Sequence, residues 1–485
     1  MIIGLDGASH DLCERWIEQG YLPNLARIKH EGKLLPLKST IPSVSPVAWS
    51  TFMTGLNPGE HGVFGFFVPE RPGPYEAPAR FRPVSSQDCH GKRFWEKMNE
   101  AGLSTGVVGV PVTYPVRPVH GHMVAGLLAP RLSAPGATYP PGLDAEIVAE
   151  VGPYRIVPRG IYTSGGEQRL MQELHTCLEL RGRLARYLLD KHRCDVHVFV
   201  LYETDVVQHK MWRFMDSSHP RYEQSAAERW GNAIREIYSH ADSILGELAE
   251  RLGPEDSIIV VSDHGSGPLH GTVHLNTWLQ RKGYLESNEG WKQWLQRSNA
   301  KYNIVQGCTR IVKRLGLLGR VNIDQQKRRL VASGFLRAAD INWERTQAYS
   351  LGFEGAIYTV GQRHLEIAQE IAAELRALEE PHSGAPLVEA VHAAHDLYVG
   401  KRAEYAPSLV LRLAGGRYSA SQRIFMPQIV SGATDSGTHR STGILAIAGA
   451  GAAAIEETTV FSIQDIAPLL LEIVGIRSDT CLASM

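Results

Sequence analysis

The chain has 485 residues, 43% apolar and 21% charged, a globular balance too long for one ordinary core, so one large domain with insertions or two to three domains are expected. A net charge of −1 leaves no basic footprint for polymeric nucleic acid and no polybasic membrane anchor, so an anionic substrate must be held by local charge. The six cysteines, Cys13, Cys89, Cys177, Cys194, Cys308 and Cys481, form no CxxC pair, which argues against a thiolate zinc site or a disulfide framework and suits a reducing, cytoplasmic compartment.

Met1 to Leu5 is an apolar run closed by Asp6-Gly7, the pattern of a buried parallel strand ending in a carboxylate. No charged and apolar leader precedes it, so no secretory signal is expected, and the longest apolar run, Gly443 to Ile455, is too short to span a bilayer. Helices are predicted from Asp11 to Gly20 and from Pro23 onward. Ser45-Pro46 reads as an N-cap followed by proline at the first helical position, and Gly55 as the stop. The Ser45 hydroxyl would then stand at the positive end of a short helix, where an anion or a developing alkoxide is favoured. Residues 57–62 form a turn cluster and 67–83 a Pro/Gly-rich surface loop.

A helix over 93–101 and a strand over 104–110 follow. Residues 116–166 lack periodicity and read as an irregular insertion over the sheet. A long helix from Gln168 to His192 feeds the strand Val196 to Leu201, which closes on Tyr202-Glu203-Thr204-Asp205. A second long helix, 224–252, feeds the strand Ser257 to Val261, which closes on Ser262-Asp263-His264-Gly265. Residues 284–390 change character, with basic helical stretches at 310–329, and read as a cap domain. Strands at 408–413 and 443–448 flank a Gly/Ser/Thr loop holding His439, and a helix over 462–474 closes the chain. The expected division is a core from 1–115, 167–283 and 391–485, an insertion at 116–166 and a cap at 284–390. The fold class is α/β, with a mostly parallel central sheet flanked by helices and carrying cap insertions.

Three strands end in aspartate, Asp6, Asp205 and Asp263, and ligands of open α/β sheets bind beyond the carboxyl ends of strands. Asp205 and His209 are four residues apart on the first turn of a helix and face one way. Asp263 and His264 can serve together where the chain turns at Gly265. The candidates form two sets: Asp205, His209 and His439 on one ion, and Asp6, Asp263, His264 and the Ser45 oxygen on the other. Mixed carboxylate and imidazole donors without thiolate suit two divalent ions, Zn²⁺ foremost and Mn²⁺ second. Such a pair can clamp both oxygens of an in-line phosphoryl displacement.

The motifs Gly-Leu-Asp-Gly (4–7), Thr-Ile-Pro-Ser-Val-Ser-Pro-Val-Ala-Trp-Ser-Thr-Phe-Met-Thr-Gly (40–55), Asn-Pro-Gly-Glu-His-Gly (57–62), Thr-Asp-Val-Val-Gln-His (204–209), Ser-Asp-His-Gly (262–265) and Gly-Thr-His (437–439) resemble the alkaline phosphatase superfamily. The likeness is greatest to its type I phosphodiesterase/nucleotide pyrophosphatase branch. The resemblance implies a bimetallic hydrolase of small phosphoesters or nucleotide-like substrates. In it Ser45 forms the covalent phospho- or nucleotidyl-enzyme, and Asp6, Asp205, His209, Asp263, His264 and His439 are metal ligands. The alternatives are a phosphomonoesterase, which would need a cation such as Arg159, Lys210 or Arg213 for the extra phosphate charge, and a catalytically silent anion-binding relative.

Overall fold

The short apolar runs become strands of one sheet in a computed structural model that describes residues 1–158, 162, 165–288, 337–380, 383–455 and 460–477. The basic stretch 310–329 and Arg159 lie outside the described residues. Nine strands, β1 (Ile2–Leu5), β2 (Lys33–Lys38), β3 (Thr105–Val108), β4 (Gly121–Val124), β5 (Thr138–Tyr139), β6 (Val196–Leu201), β7 (Ser257–Val261), β8 (Thr442–Gly449) and β9 (Phe461–Ser462), stand in the order β9-β2-β8-β7-β1-β6-β3-β4-β5. Five of the eight pairings are parallel. Strand β8 runs antiparallel to both β2 and β7, and β5 antiparallel to β4. The mostly parallel α/β sheet is therefore as expected.

Strands covered on both faces have no polar side to alternate with, so β1 and β6 are buried at every position. Ile3 and Leu5 face one core, shared with the helices His10–Glu18, Glu167–Lys191, Glu203–Met215 and Ala233–Ala249. Ile2 faces the other, packed under Ser45–Thr54, Phe94–Glu100 and Ile466–Ile473. β1 lies between β6 and β7, with Leu5 opposite Leu201 and Gly4 opposite Val261. The three strands thus end side by side, and the residues following them meet.

Several elements differ from expectation. Residues 116–166 supply β4, β5 and the helix Leu143–Glu150 rather than an irregular cover. Strands of four and two residues are too short to show a period. The loop at 67–83 is a hairpin of Phe67–Glu70 and Arg80–Pro83, with Glu70 paired to Arg80 and Arg82. The helix expected over 224–252 is broken into Gln224–Trp230 and Ala233–Ala249. Leu409–Leu413 does not rejoin the main sheet. It pairs with Ala356–Thr359 and Val388–Ala393 in a separate four-stranded sheet completed by Ala348–Ser350. Its Arg412 is exposed, so it suits a sheet with one wet face and not the doubly covered interior. This sheet and the helix His364–Arg376 share their own core around Tyr349, Ile357 and Ile371. Among the described residues no helix is long and apolar enough to cross a membrane.

Candidate active site

The Ser45 helix is wholly buried, its Ser and Thr residues included, so its position is set by packing. Ser45 is its first helical residue and Val44 is the N-cap, with extended backbone and no side-chain cap bond. This corrects the reading of Ser45 as the cap. Its hydroxyl is consequently not engaged by the helix's own N–H groups. Ser45 Oγ lies 3.4 Å from Asp6 Oδ1 and 3.3 Å from His264 Nε2.

One turn further on, the Trp49 indole N–H donates to Asp6 Oδ2 at 2.9 Å. The ring crosses β1 at Gly4, where a Cβ would come within 2.6 Å of the indole, so glycine is what lets the tryptophan reach the carboxylate. Gly7 has φ +70°, and a Cβ there would stand 2.9 Å from Asp205 Oδ1 and 3.2 Å from Asp205 Cα. The turn after β1 therefore approaches the turn after β6 closely enough for their carboxylates to share one site. Asp263 Oδ1 accepts the Gly7 N–H at 3.1 Å, tying in the turn after β7.

The structure brings all seven sequence candidates together. His264 Nε2 is 3.8 Å from Asp6 Oδ1 and 3.2 Å from Asp263 Oδ2. His209 Nε2 and His439 Nε2 are 3.3 Å and 3.7 Å from Asp205 Oδ1. Two donor groups can each enclose one ion: Asp205, His209 and His439, and Asp6, Asp205 and His264. Asp205 belongs to both, whereas the expected division gave it to one.

The donor set fits divalent cations on three observations. Each imidazole has its Nδ1 at a backbone carbonyl: His209 at Gly437 O, 2.9 Å, His439 at Ser43 O, 2.9 Å, and His264 at Gly265 O, 3.0 Å. Such bonds assign the proton to Nδ1 and turn the Nε2 lone pairs inward. With the protons there, the Nε2 lone pairs of His209 and His439 oppose each other at 2.9 Å, a repulsion that a cation between them relieves. Finally, Asp205 Oδ1 and Asp263 Oδ2 are buried oxygens without a hydrogen-bond partner.

The charges are strained without cations. Burial, then the neighbouring Asp263 and Asp205, push Asp6 well above the carboxylate range. Burial likewise raises Asp263, against His264. Burial works on Asp205 in the same direction, but His209, His439 and His264 outweigh it and hold this carboxyl below its ordinary value. Burial, then His264 and His209, keep His439 far below the usual imidazole value and hence neutral. A cluster of ionisable groups pushed apart in this way, at strand ends inside a cleft, marks a functional site.

Sequence reasoning missed the supporting shell. Arg181, from the helix Glu167–Lys191, donates through Nε to both oxygens of Glu203, at 2.8 and 2.9 Å. Its Nη1 and Nη2 reach Tyr154 Oη and Ile156 O, both at 2.8 Å, and its guanidinium lies 4.8 Å over the Tyr202 ring. This buried pair locks the turn from β6 into the helix bearing Asp205 and His209. The signal in the sequence was a charged residue, Glu203, two positions before a ligand. Lys210, named as a candidate cation, is bound to Asp435 at 2.5 Å, and Arg213 lies 3.3 Å from Glu167. Both line a cleft of about 1850 Å³ that opens from Ser45 and is walled by Phe66, Phe67, Leu127 and Phe353.

Strand-end carboxylates, inward-facing imidazoles and a helix-terminal hydroxyl on this sheet define a phosphoric ester hydrolase of the alkaline phosphatase superfamily. The family model for type I phosphodiesterase/nucleotide pyrophosphatase matches residues 1–423, and the chain belongs to that family. Phosphonoacetate hydrolase from Sinorhizobium meliloti 1021, solved with phosphonoformate and with phosphonoacetate, superimposes with a TM-score of 0.57 at 16% identity, over 98% of this chain and 95% of that one. Murine ectonucleotide pyrophosphatase/phosphodiesterase 5, an inactive variant in complex with AMP, does so with a TM-score of 0.52 at 12% identity, over 99% and 95%. At these identities the likeness shows the fold. No curated protein matches the chain at significance.

Proposed function

We propose that the protein hydrolyses phosphodiester or diphosphate bonds of small molecules through a covalent Ser45 adduct, at a site for two divalent ions, Zn²⁺ foremost and Mn²⁺ second. The observation that carries this is the opposed pair of Nε2 lone pairs and the two orphaned carboxylate oxygens, set around a serine hydroxyl that caps nothing. When bound, the ions would lower the pKa of the serine hydroxyl and neutralise the negative charge that gathers in the transition state.

The chain's own residues do the rest. Asp6, held by Trp49, and His264, held by Gly265 O, fix the position of Ser45 Oγ. The helix start behind Ser45 favours the alkoxide. Ser45 Oγ forms a bond to phosphorus as the bond from phosphorus to the leaving oxygen breaks. The proton given up by Ser45 ends on the leaving oxygen; water then cleaves the adduct, its oxygen staying on phosphorus and one of its protons restoring the Ser45 hydroxyl. The long apolar and aromatic walls favour a diester over a bare monoester, which would leave them uncovered. The free thiols of Cys13, Cys89, Cys177 and Cys194 support the cytoplasmic location we propose with it.

The test is hydrolysis of bis(p-nitrophenyl) phosphate by metal-analysed protein. Close to two divalent ions per chain, with turnover lost on chelation and restored by Zn²⁺ or Mn²⁺, is the expected result. Full turnover in protein free of transition metal would refute the proposal.

A further inference from the structure

Beside the metal-ligand cluster lies a small three-stranded sheet of Gly271–His274, Tyr418–Ser421 and Val430–Gly432. Its register sets Thr272 opposite both Ser419 and Ser431, and His274 opposite Ser421. Residues directly opposite in a sheet project to the same side, so these five side chains share one face. Two residues past the strand Tyr418–Ser421, Arg423 lines the same cleft, its backbone N–H donating to Ser421 Oγ at 3.2 Å. The other face, with Val273 and Ala420, is sealed in the cap core.

This polar face lines the cleft. An ordinary wet face carries long charged side chains, whereas this one carries four short hydroxyls and an imidazole. It is also recessed, with His274 3% and Ser421 7% exposed. Thr272 Oγ1 and Ser419 Oγ are 3.2 Å apart, and His274 Nε2 is 2.9 Å from Ser431 Oγ. The His274 Nδ1 atom is buried and has no partner. Among the described residues no carboxylate pairs with Arg423. The strand Gly437–Arg440, which bears His439, is tied to the segments leading into this sheet: Arg440 donates to Gly416 O at 2.7 Å and to Pro268 O at 2.8 Å.

We propose that this face is a subsite for a second anionic group, a carboxylate or phosphate carried on the substrate beyond the phosphorus that Ser45 attacks. The inference rests on the phosphoesterase reading and narrows its substrate class to esters with two separated anions. Hydroxyls and a guanidinium are donors, and an oxyanion is the acceptor that satisfies them. A polyol brings no negative charge to set against the Arg423 guanidinium, whereas an oxyanion does. The carboxylates that line the cleft lie elsewhere: Asp6 and Asp205 at the metal-ligand cluster, Asp435 paired with Lys210, and Glu354, which burial pushes up to about 7.

The test compares butyl p-nitrophenyl phosphate with 3-carboxypropyl p-nitrophenyl phosphate, using full-length, metal-loaded protein. The wild type should prefer the carboxylated ester by at least about ten-fold in kcat/KM, or about 1.4 kcal/mol, a preference residing in KM because the contact is equal in ground and transition states. Arg423→Ala should bring the ratio close to one, and Arg423→Lys should restore part of it. A wild-type ratio near one, or a ratio that survives Arg423→Ala, overturns the subsite while leaving the esterase reading intact. Calorimetric titration with butylphosphonate and 4-phosphonobutyrate decides the matter independently of turnover. Tighter binding of the second, lost in Arg423→Ala, supports the subsite even if neither ester is cleaved, an outcome that would refute the esterase reading instead; equal affinities overturn the subsite.

Discussion

Gly7→Ala tests whether one carboxylate serves both donor groups. At φ +70° an alanine costs roughly 1–2 kcal/mol for the left-handed backbone. Its Cβ would also stand 2.9 Å from Asp205 Oδ1, 3.1 Å from Asp205 Cβ and 3.2 Å from Asp205 Cα, and two of these atoms cannot be rotated away. The start of the helix bearing Asp205 and His209 must therefore shift by some tenths of an ångström. Because Asp205 belongs to both donor groups, affinity for both ions should fall together, by about ten-fold or more. Displacements on the scale of 1 Å cost on the order of 100-fold in rate, so a loss of kcat/KM approaching that is expected. Gly20→Ala is the control. Gly20 has φ +77°, and a Cβ there would meet nothing within 4 Å, so it carries the same backbone cost without the contact. Both variants should melt a few degrees lower, at about 2–4 °C per kcal/mol or less for a chain this long. Only Gly7→Ala should lose metal, measured by titration calorimetry and elemental analysis. If Gly7→Ala kept both ions and wild-type turnover, or if Gly20→Ala lost them equally, the shared-carboxylate geometry would be wrong.

Ser45→Ala should abolish turnover by several orders of magnitude and change stability by less than about 1 kcal/mol, since the hydroxyl caps no helix N–H. Ser45→Thr should keep measurable activity, and mass spectrometry of a trapped adduct should find it on the Ser45 peptide; an adduct on Ser43 or Thr40 would refute the assignment. His439→Ala should remove mainly the ion shared with Asp205 and His209, and unchanged metal content would reduce His439 to a loop residue. In metal-free protein Asp6→Asn should stabilise the fold, and the gain should widen with pH. The folded pKa of Asp6 lies above its unfolded value, so the native state holds the proton longer and wild-type stability is lost as pH rises above about 4. Melting temperatures of the two proteins from pH 4 to 8 check this; a gain that shrinks with pH contradicts it.

The three candidate carboxylates were legible because each follows a strand whose uninterrupted apolar residues announce burial on both faces, and such strands deliver what comes next to one edge. Asp6, Asp205 and Asp263 needed no contact information to be grouped. The division of labour among them did need it. Asp205 joins both donor groups only because Gly7 lets two turns approach within van der Waals distance, a fact of three dimensions with no trace in spacing. That Ser45 stands beside the aspartates was legible and its cap geometry was not, since whether a serine precedes or opens a helix turns on one residue's backbone angles. Trp49 is wholly buried, as core aromatics are, yet its one polar atom is bonded to Asp6. The elements that escaped, β4, β5 and most of the four-stranded cap sheet, are strands of two to six residues, too short for a period to show.

The placement of β8 bears on how the chain reaches this state. β8 occupies residues 442–449, yet it sits inside the sheet, between β2 near the amino terminus and β7 in the middle of the chain. During synthesis β2 and β7 emerge long before the strand that joins them. Two unpaired edges therefore wait open while roughly 180 further residues are added, about 10–40 s at 5–20 residues per second. Open edges of this kind recruit strands from other chains. Newly made protein should thus depend on chaperones until β8 docks, and a chain stopped before residue 442 should aggregate rather than persist as a soluble, partly active core.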